Sequence, residues 1–278
     1  MKNRVYALCL SALFALPAPL LAEDAKQPTE QHAISNSLNA LFLMRLETQR
    51  SIGGFYMLNG QEQGQDQRYA KQAEANLVLA QENLAKLPTP SSPAAQTLKA
   101  KLEQDLNTYS TELRRLISLL KEQGYTDLQP IADLASLNSS ILQTSIDLET
   151  QIQQDNQYTL PKLTQLAREQ SLLIQGIAAD YAARSGSVGA SFIADGEKQP
   201  LDKLSEQFAN TLLAMQKDPV NTSDTKKSLR AIQTKWRYIE NSLKNYNEDS
   251  VPFVIDKYAR SITKSFEQLA SDYANLNI

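Results

Sequence analysis

The stretch LMRLETQRSIGGFYML, Leu43 to Leu58, decides how the chain is read. Long apolar side chains flank two arginines. The pair Gly53-Gly54 stands where alanines would favour a helix by roughly 1 kcal/mol each. On a helical wheel of about 100° per residue, Leu38, Leu41, Phe42, Leu46, Ile52 and Tyr56 form one stripe. Arg45 and Gln49 fall inside that stripe, and Glu47 and Arg50 fall outside it or on its border. A guanidinium in an apolar seam needs a partner, because burying an unpaired charge is costly. A carboxylate or carbonyl of a facing helix would serve, and so would a small anion on the planar five-donor fork. Gly53-Gly54 would let a neighbouring backbone or a ligand come close.

The helical period continues through nearly the whole chain, and alternating runs of Val, Ile and Thr are missing. Breakers recur at 59–65, 87–93, 123–130, 156–161, 184–200, 218–224 and 247–252. They leave eight predicted helices, at 29–58, 65–86, 93–123, 129–156, 160–185, 199–217, 223–247 and 251–275. Pro93, Pro130, Pro161, Pro200 and Pro252 each sit where a missing N–H is harmless, in a first turn. Ser92, Thr159 and Ser250, or their neighbours, are the expected caps. Helices of this length joined by short links favour antiparallel bundles.

The first and fifth predicted helices align at an offset of 125. Leu38 falls on Leu163, Leu41 on Leu166, Ile52 on Ile177, Tyr56 on Tyr181 and Arg45 on Gln170. In the fifth helix the stripe is Leu163, Leu166, Leu173, Ile174, Ile177 and Tyr181, with Gln170 inside it. Pro130 and Pro252 both open the last helix of a set. This repeat of element order predicts an all-α fold of two tandem antiparallel four-helix modules, 23–157 and 158–278. The alternative is one long bundle with the fourth and fifth helices nearly continuous.

Residues 1–22 have the layout of a cleaved signal peptide: Lys2 and Arg4, then an apolar run broken by Pro17 and Pro19, then Leu20-Leu21-Ala22 before Glu23-Asp24. A periplasmic location follows as an expectation, with no membrane span in the mature chain. The alternative is a retained membrane anchor. The net charge is −3 over 278 residues and becomes more negative once Lys2 and Arg4 are removed. Such a balance does not suit nucleic acid. The one cysteine, Cys9, lies in the leader, and His32 is the one histidine. No disulfide framework, thiolate site or His-rich metal site is therefore expected, and no cofactor. Gly186, Gly189 and Gly196 follow no strand, and no catalytic constellation stands out, so the chain does not read as an enzyme. Trp236 shares a stripe with Leu229, Ile232, Ile239 and Leu243 and reads as core.

Three segments of the second half carry a resemblance: REQSLLIQGIAADYAARSG at 168–186, LSEQFANTLLAMQKDPVNT at 204–222, and SLRAIQTKWRYIENSLKNYNEDSVPFVIDKYARSITKSFEQLASDY at 228–273. They resemble the N-terminal sensor module of type IV pilus methyl-accepting chemotaxis transducers, the PilJ-type domain, over about 165–275. The surroundings of Trp236 are the most specific part. The first half resembles the related nitrate- and nitrite-sensing helical domain, where a Gln-x-Glu-Arg-Gly run is typical. Here LETQRSIGG puts Arg50 at the arginine position, Gln49 in place of the acid and Ser51 in place of the glycine. In the second half the corresponding pair is Ile174-Gln175, without the arginine.

The resemblance implies a periplasmic, all-helical sensor-like binding protein related to chemotaxis and type IV pili. Its partner would be a small polar or anionic ligand, a chemoreceptor, pilus or other envelope protein, or both. The expected ligand residues are Arg45, Gln49 and Arg50 in the first module and Gln170, Gln175 and Tyr181 in the second. The ligand would lie between the first and fourth helices or between the fifth and eighth. The competing reading is a structural or adaptor protein of the envelope or pilus system that acts through its helix faces.

Overall fold

Ser92 and Pro93 start a helix as the sequence leads one to expect. The Ser92 hydroxyl accepts from the Ala95 N–H at 3.2 Å, and Pro93 takes the first helical position. Thr222 caps another helix in the same way, accepting from the Thr225 N–H at 3.3 Å. Ser250 does not cap: its hydroxyl pairs with that of Ser185 at 2.8 Å, and Val251 occupies the capping position with no side-chain bond. The structure, a computed structural model, describes residues 26–61, 67–186, 200–246 and 250–276. The leader predicted at 1–22 lies outside the described residues, as do parts of three predicted links.

The described residues form nine helices and no strand: α1 (Lys26–Asn59), α2 (Gln67–Ala85), α3 (Pro93–Gln123), α4 (Leu128–Asp155), α5 (Lys162–Gly186), α6 (Leu201–Lys217), α7 (Ser223–Arg237), α8 (Glu240–Lys244) and α9 (Pro252–Ala274). The fold is therefore all-α. None of these helices is long and apolar enough to cross a membrane. The seventh predicted helix is broken into α7 and α8. The Tyr238 and Ile239 N–H groups bond three residues back, to Lys235 and Trp236, at 3.2 and 2.9 Å. This tightened turn leaves Tyr238 exposed against Tyr258 and keeps Ile239 and Leu243 buried.

Side-chain pairs fix the helix directions. Arg45 reaches Glu149, while Gln49, Ile52 and Tyr56 share a cleft with Ala135, Asn138 and Leu142, so α4 runs against α1. Ser92 reaches Asp155 and Asp105 reaches Ser140, so α3 runs against α4. Between α4 and α5 the chain turns back through Gln157, which has a left-handed φ of 50°, and the two helices are not continuous. On the other side, Ser171 bonds to Thr263 and Tyr181 to Val251, so α9 runs against α5. The buried apolar residues fall into two clusters. One is built on α1 to α4 with Ala179 and Ala182 of α5, and the other on α5 to α9.

α1 and α5 lie side by side and run parallel. Asn39 meets Arg168, Gln49 meets Gly176, Gly53 meets Ala179 and Gly60 meets Gly186. These pairs advance together along both helices, close to the offset at which the two helices align in sequence. α1 is thereby enclosed by α2, α4 and α5 at once. From Leu38 to Leu58 it has almost no solvent face. That enclosure corrects the wheel: Glu47, placed outside the apolar stripe, is buried.

It also answers the glycine pair. Gly53 faces α5, where an added methyl would lie 3.6 Å from Ala179 Cβ and 3.7 Å from Gln175 Nε2, an ordinary contact. Gly54 faces α2, where the same methyl would lie 3.2 Å from Ala73 Cβ and 3.3 Å from both Ala73 N and Tyr69 O. Gly53→Ala is therefore expected to stabilise the protein, by up to about 1 kcal/mol, through backbone entropy. Gly54→Ala is expected to destabilise it, by roughly 1–3 kcal/mol, because the α2 backbone must give way. Urea denaturation of the two variants tests the difference in sign.

Candidate functional site

The enclosure of α1 turns its polar residues inward, where each must find a partner on a neighbouring helix. Arg45, only 6% exposed, forms an ion pair with Glu149 of α4. Arg168 of α5 comes to the same level and is 7% exposed. It donates to Asn39 Oδ1 at 3.1 Å and lies 5.3 Å over the Phe42 ring. The Glu149 carboxylate thus pairs with the Arg45 guanidinium and acts on that of Arg168 at longer range. Arg45 Nε and Arg168 Nε and Nη1 are buried without a hydrogen-bond partner. Burial holds the Arg168 pKa below its usual value; the Glu149 carboxylate opposes that shift and the Arg45 charge adds to it.

One turn further on, Arg50 donates to Glu47 at 2.6 Å and also pairs with Glu267 of α9. Both arginines that the sequence offers to a ligand are thus engaged by carboxylates of the chain itself. Glu47 keeps one oxygen, Oε2, buried and unpartnered. Burial pushes its carboxyl above the ordinary value; Arg50 and Arg260 pull it down, and Glu267 adds to the rise. The folded protein therefore holds this proton more tightly than the unfolded chain does. Its stabilising contribution is complete below the ordinary carboxyl value of 4.5 and is lost as pH rises through the raised folded value. Relative to Glu47→Gln, the wild type should lose stability over the interval that opens above pH 4.5. Paired urea titrations across that interval measure the slope, and a flat or rising difference would contradict it.

The glutamines meet the glycines. Gln49 of α1 lies against Gly176 of α5, and Gln175 of α5 lies against Gly53 of α1. Gln175 is 1% exposed, and Gln49, Gln170 and Gln175 each have Oε1 buried without a partner. Tyr181 serves another purpose than the one predicted: its hydroxyl accepts from the Val251 N–H at 3.0 Å and pins the start of α9. Ser51 bonds through its hydroxyl to that of buried Tyr109 at 2.7 Å.

A cleft of about 290 Å³ opens beside Gln49, where α1, α4, α5 and α6 meet. Gln49, Ile52 and Tyr56 supply one wall, Asn138 and Leu142 another, and Gly176, Asp180 and Leu204 complete it. Asn138 Oδ1, like Gln49 Oε1, is buried without a partner. Burial pushes the Tyr56 hydroxyl well above its usual pKa, and the Asp180 carboxylate adds to the rise, so Tyr56 stays protonated. A larger hollow, about 350 Å³, lies past Tyr56 between the ends of α1, α2, α5 and α9. Of the residues predicted to hold a ligand, only Gln49 lines the cleft.

Glu149, Arg168, Asn138, Asp180 and Glu267 were not among the residues the sequence singled out. One signal could have found Glu149: a buried arginine on α1 calls for an acid at the facing level of an antiparallel neighbour. The others depend on the parallel contact of α1 with α5. Compared with known proteins, the chain matches no family model, no curated protein and no solved structure.

Proposed function

We propose that this chain is a non-catalytic binding protein for a small polar solute, held in the cleft between α1, α4, α5 and α6. One observation carries the reading. A cleft near the small end of the ligand-pocket range, with mainly apolar walls, is bordered by two amides whose oxygens are buried without partners. It lies where the two apolar clusters adjoin, a common place for a ligand. Two of its walls come from α1 and α4, the helices between which the sequence reading expects a ligand. The resemblance of 165–275 to a PilJ-type sensor module supports a sensor-like role in the periplasm, with a chemoreceptor or pilus component as the protein partner.

A thermal-shift and calorimetric panel of nitrate, nitrite, small carboxylates and small amines tests the reading. At least one solute should raise the melting temperature of the wild type. Gly176→Leu should abolish the shift by filling the cleft. A Cβ there meets only the end of the Gln49 side chain, at 3.3 Å, and no backbone, so the variant should fold. No shift with any solute, or an equal shift in Gly176→Leu, would overturn the proposal.

A further inference from the structure

Away from the cleft, the charges of two helices complement each other. α7 carries Lys226, Lys227, Arg230, Lys235 and Arg237 against the single acid Asp224, in a chain whose net charge is −3. Among the described residues none of these five cations forms an ion pair. Exposed cations elsewhere do find acids, as Lys101 does with Asp105, Lys121 with Glu74 and Lys244 with Glu240. Lys235 turns to α9, where its Nζ donates to Ser261 O and Ser265 Oγ. Lys226, Arg230 and Arg237 are exposed and fall within about 40° of one another on the wheel. At 1.5 Å per residue their stripe is about 17 Å long. The apolar face of α7 is already used, since Leu229, Ile232 and Trp236 are buried in the second cluster. What α7 offers a partner is therefore charge.

α4 is the reverse case. It holds Asp133, Asp147, Glu149 and Asp155 and no basic residue. Glu149 is taken by Arg45. The three aspartates are exposed and share a stripe about 80° wide. Each accepts from a glutamine four residues earlier, Gln129, Gln143 and Gln151, and Asp155 also accepts from Ser92. These neutral donors leave the negative charges uncompensated. We infer that α7 of one copy docks on α4 of a second copy of this chain, cation stripe against aspartate stripe. Asp133 and Asp147 lie about 21 Å apart along α4, and long Lys and Arg side chains on α7 span the difference. Exposed ion pairs contribute little one at a time, but here several fall in one contact. Tyr238 beside Arg237 and Ile146 beside Asp147 are exposed and add apolar surface to it. α4 lies on α1 and α3, and α7 lies on α6 and α9, so each copy presents both stripes.

Sedimentation velocity of the full chain tests this at about 0.1 M and about 1 M ionic strength, where charges are screened over about 10 Å and 3 Å. The wild type should associate at the lower strength and be monomeric at the higher. Arg230→Glu/Arg237→Glu and Asp133→Lys/Asp147→Lys should each be monomeric at both. All four positions are exposed, so both variants should fold, which circular dichroism checks. An equimolar mixture of the two variants should associate again, because each supplies the stripe that the other lacks. A monomeric wild type at the lower strength, association that either variant leaves intact, or a mixture that stays monomeric would overturn the inference. A monomeric wild type that binds phosphatidylglycerol vesicles through Arg230 and Arg237 would assign the stripe to lipid and overturn it as well.

Discussion

Glu149→Gln is expected to lower the unfolding free energy by roughly 3–5 kcal/mol, the cost of removing one partner from a buried ion pair. Two guanidiniums depend on this carboxylate. Arg45 pairs with it directly, and Arg168 lies close enough for their charges to interact. The pair is well shielded from water: the Arg45 side chain is 7% exposed and that of Glu149 is 14% exposed. Neutral glutamine keeps the shape but leaves two positive charges in the interior, with Asn39 and the Phe42 ring as the remaining partners of Arg168. The loss should persist in high salt, because a buried pair is poorly screened. The double variant Arg45→Met/Glu149→Leu removes charge and countercharge together and should recover much of the loss. Urea denaturation followed by circular dichroism measures all three proteins. A loss below about 1 kcal/mol for Glu149→Gln would place the pair among exposed ion pairs and end the argument.

The same pair marks where sequence reading stopped. Helix starts were legible because Pro93 and Pro252 act locally, and Ser92 caps a helix whatever surrounds it. Apolar stripes were legible because Leu38, Leu41, Leu163 and Ile177 follow one period and are all buried. The correspondence of the first and fifth helices was legible as an offset, but the offset does not say that those helices touch. Once α5 lies along α1, the rule that a polar residue marks the solvent side fails. Glu47 shows this most plainly, since it sits on the face that a lone amphipathic helix would give to water. Glu149, which pairs with Arg45, and Glu267, the second partner of Arg50, stand 104 and 217 residues away, where no local pattern reaches. The cleft is built from four helices and was visible in the sequence only through Gln49.

Trp236→Ala should cost about 3–5 kcal/mol, the range for truncating a large buried aromatic. Trp236 has no exposed surface, and its ring centroid lies 4.4 Å from that of Phe208, which meets Phe266 edge-on at 5.9 Å. The indole thus joins α6, α7 and α9 in the second apolar cluster. Trp236→Phe should cost far less, roughly 1.5 kcal/mol or below. It keeps a ring against Phe208 and removes Nε1, a buried donor with no partner. Circular dichroism must follow unfolding, because this is the chain's single tryptophan. The shape of the Trp236→Ala transition also tests how far the two clusters are coupled. Ala179 and Ala182 of α5 pack into the first cluster, Arg50 ties α1 to Glu267 of α9, and Gly60 closes on Gly186. With α1 and α5 joined along their length, damage beside Trp236 should lower one common transition. A second, unshifted transition in the variant would mean that α1 to α4 hold their structure without α5, and that the seam lining the cleft contributes little to stability.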